Sequence, residues 1–425
     1  MSNNDVDENA KAPDVPKNFF EQLRQLGPGM MVAGAFIGTG TLTTAIVAGS
    51  EFGYTLLWAS VTFAVVLVIV LQTMVARLAM ASGKSLAQLV RSRLGIWMSI
   101  IAVAAIFGGN VVYSVGNVNG VALATGEMPG KLPPIVWVGA VTALYWLLLM
   151  IGKFRILEKT VGILVVVMGL VFVVDMIVAQ PDYSQVALGL VVPQFSPEQI
   201  VLVTGLIGTT VVPYNLYLHS SAVLQRSWHL NPKGFASMAR TDTVIPVFLG
   251  GIVTMSVGVV AASVLNPKFL AGQVSVESAA DMSAALEPVL GPMAYFFFNI
   301  GLFAAAVSSM PMAALSAAYV TTESFGLSTD LKAPGFRTIF STVAWLPVII
   351  FAVLESSPVA TIIAAQSVNG MLLPITAVFI LIFVNRRSIM GSMKNPWWMN
   401  IFATLSVAFV CVLGVINISK AFGWL

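Results

Sequence analysis

The sequence predicts an all-α integral membrane protein of about eleven transmembrane helices, with two five-helix inverted repeats whose first helices are both discontinuous. Three observations predict it. Hydrophobic residues fill 58% of the 425 positions and Asp, Glu, Lys and Arg only 9%, whereas a soluble domain carries roughly 25% charged residues. Apolar segments of the length a helix needs to cross a bilayer, about 20 residues, recur along the whole chain. Two of these segments, five apart, are interrupted by Gly, Thr and Pro, and paired interruptions at matching places in two halves point to an inverted-repeat carrier.

Residues 1–24, with Asp5, Asp7, Glu8, Pro13, Asp14 and Pro16, read as a disordered cytoplasmic tail lacking the basic and apolar regions of a signal peptide. Residues 25–425 read as one transporter domain, because the loops between apolar segments are short. Its spans are expected at about 28–52, 55–80, 98–125, 134–152, 157–179, 198–222, 241–265, 288–322, 337–354, 359–384 and 397–419. Repeat one then covers about 28–179, repeat two about 198–384, and the helix at 397–419 is additional. Ser85–Leu94 has the pattern of a short amphipathic helix on the membrane surface. An N-terminus inside leaves only Lys131, Lys268 and Lys420, of 21 Lys and Arg, outside. The positive-inside rule therefore places the N-terminus in the cytoplasm and, with an odd span number, the C-terminus outside. Trp397, Trp398 and Trp424 read as interfacial anchors, and a bacterial inner membrane is the expected location.

The breaks are the functional signal. Gly38-Thr39-Gly40-Thr41 interrupts span one and the stretch from Gly208 through Thr209, Thr210 and Pro213 to Asn215 interrupts span six. Freed backbone groups at mid-bilayer have no water to meet them, so such breaks persist where they line a cavity. Substrate is expected between them, near span-three Asn110, Asn117 and Asn119. An enzyme is disfavoured: the only histidines are His219 and His229, and neither an HExxH pair nor a GxSxG elbow is present. Cys411 is alone and signals neither disulfide nor metal. No cofactor, resident metal or nucleic-acid partner is expected; the basic loops are topogenic.

Several segments resemble the Nramp metal-ion transporters over about residues 25–395. They are Gly27-Pro28-Gly29, the run from Ala48 to Trp58, Gln72 to Arg77 and Ala81 to Ala87. Pro213-Tyr214-Asn215-Leu216-Tyr217-Leu218-His219-Ser220 is similar to that family's most recognisable signature. Leu157-Glu158-Lys159 through Asp182 and Asn369 through Asn385 extend the similarity. The resemblance implies a LeuT-type fold and secondary active transport by alternating access. It also exposes departures. Gly38 stands where the family has an acidic metal ligand, Thr41 where it has an asparagine and Val212 where it has a methionine. The carbonyl-donating position is Thr209, the first of two histidines is Tyr214 and the second is His219; the acidic proton-path positions fall at Ser114 and Asn117.

The expected substrate site is thus Gly38, Thr39, Gly40, Thr41, Thr209, Thr210, Val212, Tyr214, Asn215 and Asn117. None is anionic, and transition metals prefer carboxylate, imidazole or sulfur. A helix restarting near Thr41 exposes N–H groups that favour negative charge. The sequence reading therefore favours a small anion or zwitterion such as bicarbonate, a small carboxylate or an amino-acid-like solute. A divalent cation (Mn, Fe or Mg) is the alternative. Coupling is expected to Na⁺ at Ser308 and Ser309, or to H⁺ at His219, with Glu51, Asp175 and Asp242 as further titratable candidates.

Overall fold

The computed structural model describes residues 13–27, 37–126, 132–151, 154–354 and 356–424, apart from the side chains of 154–161 and Ala421. Most of the expected tail, the start of span one, Lys131 and the Leu157-Glu158-Lys159 side chains lie outside that description. The chain begins with α1 (Phe19–Arg24), capped by Asn18, whose side chain accepts from Glu21 N at 2.9 Å. Gln22 fixes α1 in place: its Nε2 donates to Ser237 Oγ at 3.2 Å and its Oε1 accepts from Thr241 at 2.6 Å. Residues 19–24 therefore depart from the disordered tail that the sequence suggests. Polar side chains hold them, and a hydrophobic pattern does not register such contacts.

The membrane helices follow in the expected order. Span one is described as α2 (Thr39–Phe52), and span two as a π-helical turn at Trp58–Phe63 leading into α3 (Ala64–Ser82). The surface helix α4 (Leu86–Leu94) carries a full capping box between Ser85 and Gln88. Spans three, four and five are α5 (Ile96–Thr125), α6 (Pro134–Met150) and α7 (Phe154–Val178). A short helix α8 (Tyr183–Val191) leads to the two pieces of span six, α9 (Ile200–Thr210) and α10 (Pro213–Gln225). Then come α11 (Pro232–Val260), α12 (Ala294–Phe325), α13 (Pro334–Val353), α14 (Pro358–Val384) and α15 (Trp397–Ala421). Eight of the described segments are long and apolar enough to cross a membrane, and 134–150 and 162–178 are shorter apolar helices. Span seven starts earlier than expected because Asn231 caps it and Pro232 occupies its first turn. Span eight starts later, since residues 279–293 form short turns and helices instead.

Close approach between helices depends on small residues, as expected without a hydrophobic force between them in lipid. α5 lies along α12 and α14, and α9 lies along α14. A Cβ on Gly208 would sit 2.1 Å from the Gln366 carbonyl oxygen and 2.4 Å from Gly370 N, so α9 and α14 cross backbone to backbone. α2 is held from the other side, where a Cβ on Gly49 would stand 2.5 Å from the Gly258 carbonyl.

Candidate functional site

α2 starts at Thr39, and Gly38 is its cap, extended at φ −105° and ψ −175° with no side-chain capping bond. Thr39, Gly40 and Thr41 therefore form a first helical turn, where the N–H groups have no intrahelical acceptor; the residues before Ile37 lie outside the description. In span six the link is only Val211 and Val212, at φ −101°, ψ 65° and φ −70°, ψ 121°. Pro213 opens α10 because its ring fits a first turn and would clash with a continuing helix. This break is narrower than the Gly208–Asn215 interval read from the sequence. Gly208 is helical and serves the crossing with α14.

The two breaks touch. Thr41 Oγ1 and Thr209 Oγ1 are 2.9 Å apart, a hydroxyl pair joining α2 to α9. Thr39 Oγ1 donates to Asn117 Oδ1 at 2.8 Å, and Asn117 Nδ2 donates to the Tyr113 carbonyl at 3.1 Å. The Tyr113 ring meets the Tyr214 ring edge-on, with centroids 5.3 Å apart. A Cβ on Gly38 would come within 2.7 Å of Ser309 Oγ and 3.2 Å of the Tyr113 hydroxyl, so α5 and α12 close over the cap. Val212, Tyr214 and Asn215 are buried at the start of α10, and neither polar atom of the Asn215 carboxamide has a partner among the described residues.

Other candidates sit apart from this junction. Thr210 bonds its own helix at the Leu206 carbonyl, 3.0 Å away. Ser308 likewise donates to the Ala305 carbonyl at 2.9 Å, which separates it from Ser309 at the Gly38 cap. His219 Nδ1 pairs with Gln72 Oε1, and its Nε2 has no partner. Asn110 and Asn119 donate to the Ala313 and Val115 carbonyls, and the buried Ser114 hydroxyl is unpartnered. Asp242 accepts from Gly27 N at 2.6 Å. Asp175 is fully buried, and Glu51 is half-buried at the end of α2.

Two residues were missed by the sequence reading. Tyr113 was passed over for its neighbour Ser114, although Tyr113 is the one that reaches the Gly38 cap. Gln366 on α14 is fully buried, both carboxamide atoms lack partners among the described residues, and its side chain fills the space where a Cβ on Gly40 would go, 2.3 Å from its Cδ. A polar residue in mid-span is the signal that could have found it. The junction is electrically neutral: hydroxyls, carboxamides and backbone groups, with no cluster of three His, Cys, Asp or Glu among the described residues.

Such a junction is what an alternating-access carrier builds at its substrate site, and comparison with known proteins points the same way. Residues 29–420 match the family described as Natural resistance-associated macrophage protein-like. The chain is 32% identical over 415 residues to a protein of Xylella fastidiosa (strain 9a5c) named divalent metal cation transporter MntH, spanning 93% of this chain and 85% of that one. Among solved structures, the Eremococcus coleocola manganese transporter superposes with a TM-score of 0.81 at 23% identity, over 99% of this chain and 91% of that one. The nucleobase-cation-symport transporter Mhp1 superposes at 0.57 with 14% identity, over 96% and 95%. The fold is thus the LeuT-type inverted repeat, and the chain belongs to the Nramp family of multi-pass membrane transporters.

Proposed function

We propose that the protein is a secondary transporter that carries a divalent cation by alternating access across a bacterial inner membrane, with its N-terminus in the cytoplasm. The observation that carries this is the junction itself. Thr41 and Thr209 meet across the two breaks, and the Asn215 and Gln366 carboxamides lie buried with their oxygens unclaimed. Neutral oxygen donors suit hard cations such as Mg²⁺, which keeps several of its own waters, or Mn²⁺, better than Fe²⁺, which takes imidazole nitrogen readily. The relatives named as divalent metal cation transporters support a cation over the anion favoured by the sequence alone. Coupling to Na⁺ or H⁺ belongs to the same proposal, with Ser309 beside the Gly38 cap and His219 beside Gln72 as the groups to test.

A second reading has one observation in its favour. The first turn of α2 presents N–H groups without a side-chain cap, and no cluster of three His, Cys, Asp or Glu lies among the described residues; such a terminus receives a small anion or the carboxylate of a zwitterion. Uptake into proteoliposomes separates the two. Mg²⁺, Mn²⁺ and H¹⁴CO₃⁻ are offered separately, with and without Na⁺ and pH gradients. Saturable Mg²⁺ entry that bicarbonate does not compete supports the cation. Bicarbonate entry with no metal signal would overturn it.

A further inference from the structure

We propose that Glu323, Ser221 and Ser85 form a latch that keeps the cytoplasmic side of the transporter shut, an inference that rests on the alternating-access reading. The latch lies at the far end of a seam that starts at the substrate junction. At the near end, Ser316 on α12 donates to the carbonyl of Tyr214 on α10 at 3.3 Å. At the far end, Ser221 on α10 donates to Glu323 Oε1 on α12 at 3.0 Å. Tyr214 to Ser221 and Ser316 to Glu323 are both intervals of seven residues, two helical turns or about 10 Å. The helices therefore run side by side in register, bonded at both ends. Val320 is buried and lies one turn after Ser316 and one turn before Glu323, on the face of α12 that carries both bonds.

The surface helix α4 ties the same two partners together. Ser85, its cap, donates to Glu323 Oε2 at 2.5 Å while accepting from Gln88 N. Leu86 N donates to Ser220 Oγ at 3.0 Å, and the Ser220 hydroxyl donates in turn to the Tyr217 carbonyl. Each carboxylate oxygen of Glu323 thus takes a hydroxyl from a different element, one before span three and one on span six. In alternating access one bundle of helices rocks against the rest. Span six carries half of the substrate junction and span eight packs against span three. Opening this seam toward the cytoplasm must break the Glu323–Ser221 bond and pull Leu86 from Ser220. The contacts hold one closed arrangement and vanish together in the open one.

The test reads the seam without any substrate. Cys411 is the chain's single cysteine, so Cys411→Ser supplies a thiol-free background, and Val320→Cys places a reporter in the seam. Alkylation by N-ethylmaleimide is timed in purified protein reconstituted in nanodiscs. Ser221→Ala is expected to raise the rate about tenfold, the scale of losing one hydrogen bond to a charged group, and Glu323→Ala, which loses the bonds from both Ser221 and Ser85, should raise it further. Glu323→Gln keeps an acceptor for a serine and should raise it less. A matched reporter at Ala403→Cys, buried on α15 away from the seam, should not change. An unchanged rate at Val320→Cys in folded Glu323→Ala protein would overturn the latch, as would equal acceleration at both reporters. Because the readout needs no cargo, failure here leaves the transport proposal standing, and failure of uptake leaves this result readable.

Discussion

Gly208→Ala is a single methyl group placed where two membrane helices cross. The added Cβ would lie 2.1 Å from the Gln366 carbonyl oxygen and 2.4 Å from Gly370 N, and ordinary contact begins at 3.4 Å. Both obstructing atoms are backbone, so no rotamer change relieves the clash. The α9–α14 crossing must open by about 1.3 Å or the helices must bend, which costs about 1–3 kcal/mol. That corresponds to a fall in Tm of about 1–3 °C for a chain of this length, read by fluorescence-detected size exclusion after heating. The displacement has a second consequence. Thr209 follows Gly208 directly and its 2.9 Å bond to Thr41 cannot survive a shift of that size, so transport should lose affinity together with stability. Gly108→Ala on α5 is the matched control, because nothing lies within 4 Å of its added Cβ; it should melt at or slightly above the parent, Ala being the better helix former. Equal melting of the two variants with unchanged uptake would refute the crossing.

Two further predictions follow from the junction. In a double-mutant cycle, Thr41→Val and Thr209→Val should couple by about 0.5–1.5 kcal/mol in thermal or denaturant unfolding, the usual worth of one hydrogen bond. Additivity within error would show the hydroxyls do not bond. Gln366→Leu removes a fully buried carboxamide with no protein partner and replaces it with an apolar chain of similar size. Stability should stay level or rise while the apparent KM for cargo increases; a large stability loss with unaltered KM would mean that the carboxamide serves packing rather than cargo.

The layout of the fold was legible because membrane helices announce themselves by length and apolarity, and because Pro213 and the glycines interrupt two of them. What the sequence could not separate was the reason for each small residue. Gly38 caps a helix, Gly40 admits the Gln366 side chain and Gly208 lets two backbones cross, yet all three read as parts of a break. Which of two adjacent side chains points inward was equally hidden. A one-residue step turns a helix face by about 100°, and that step separates Tyr113 from Ser114 and Ser309 from Ser308. Gln366 went unnoticed because its companions arrive from three other spans. Residues 19–24 were lost to the tail because Gln22, Ser237 and Thr241 bond across more than 200 residues of chain.

A neutral junction has a physical consequence for any cation that uses it. Stripping a divalent ion of water without supplying an anion is heavily penalised, and Mg²⁺ in particular sheds its waters reluctantly. Hydroxyls and carboxamides at the Thr41–Thr209 contact can instead hydrogen-bond to the ion's own water shell. The glycine notches do not offer that room, since Ser309 closes on Gly38 and the Gln366 side chain fills the space at Gly40. For a cation held there, room would have to come from parting Thr41 and Thr209, which would couple its entry to motion of the two broken helices. Cobalt(III) hexaammine has the size of a hydrated Mg²⁺ and cannot exchange its ligands. If the cation is held through its waters, hexaammine cobalt should compete with Mg²⁺ uptake at concentrations near the Mg²⁺ KM, and the competition should weaken in Thr41→Val. If the protein strips the ion to contact it directly, hexaammine cobalt will leave uptake untouched. That result would refute binding through the ion's water shell.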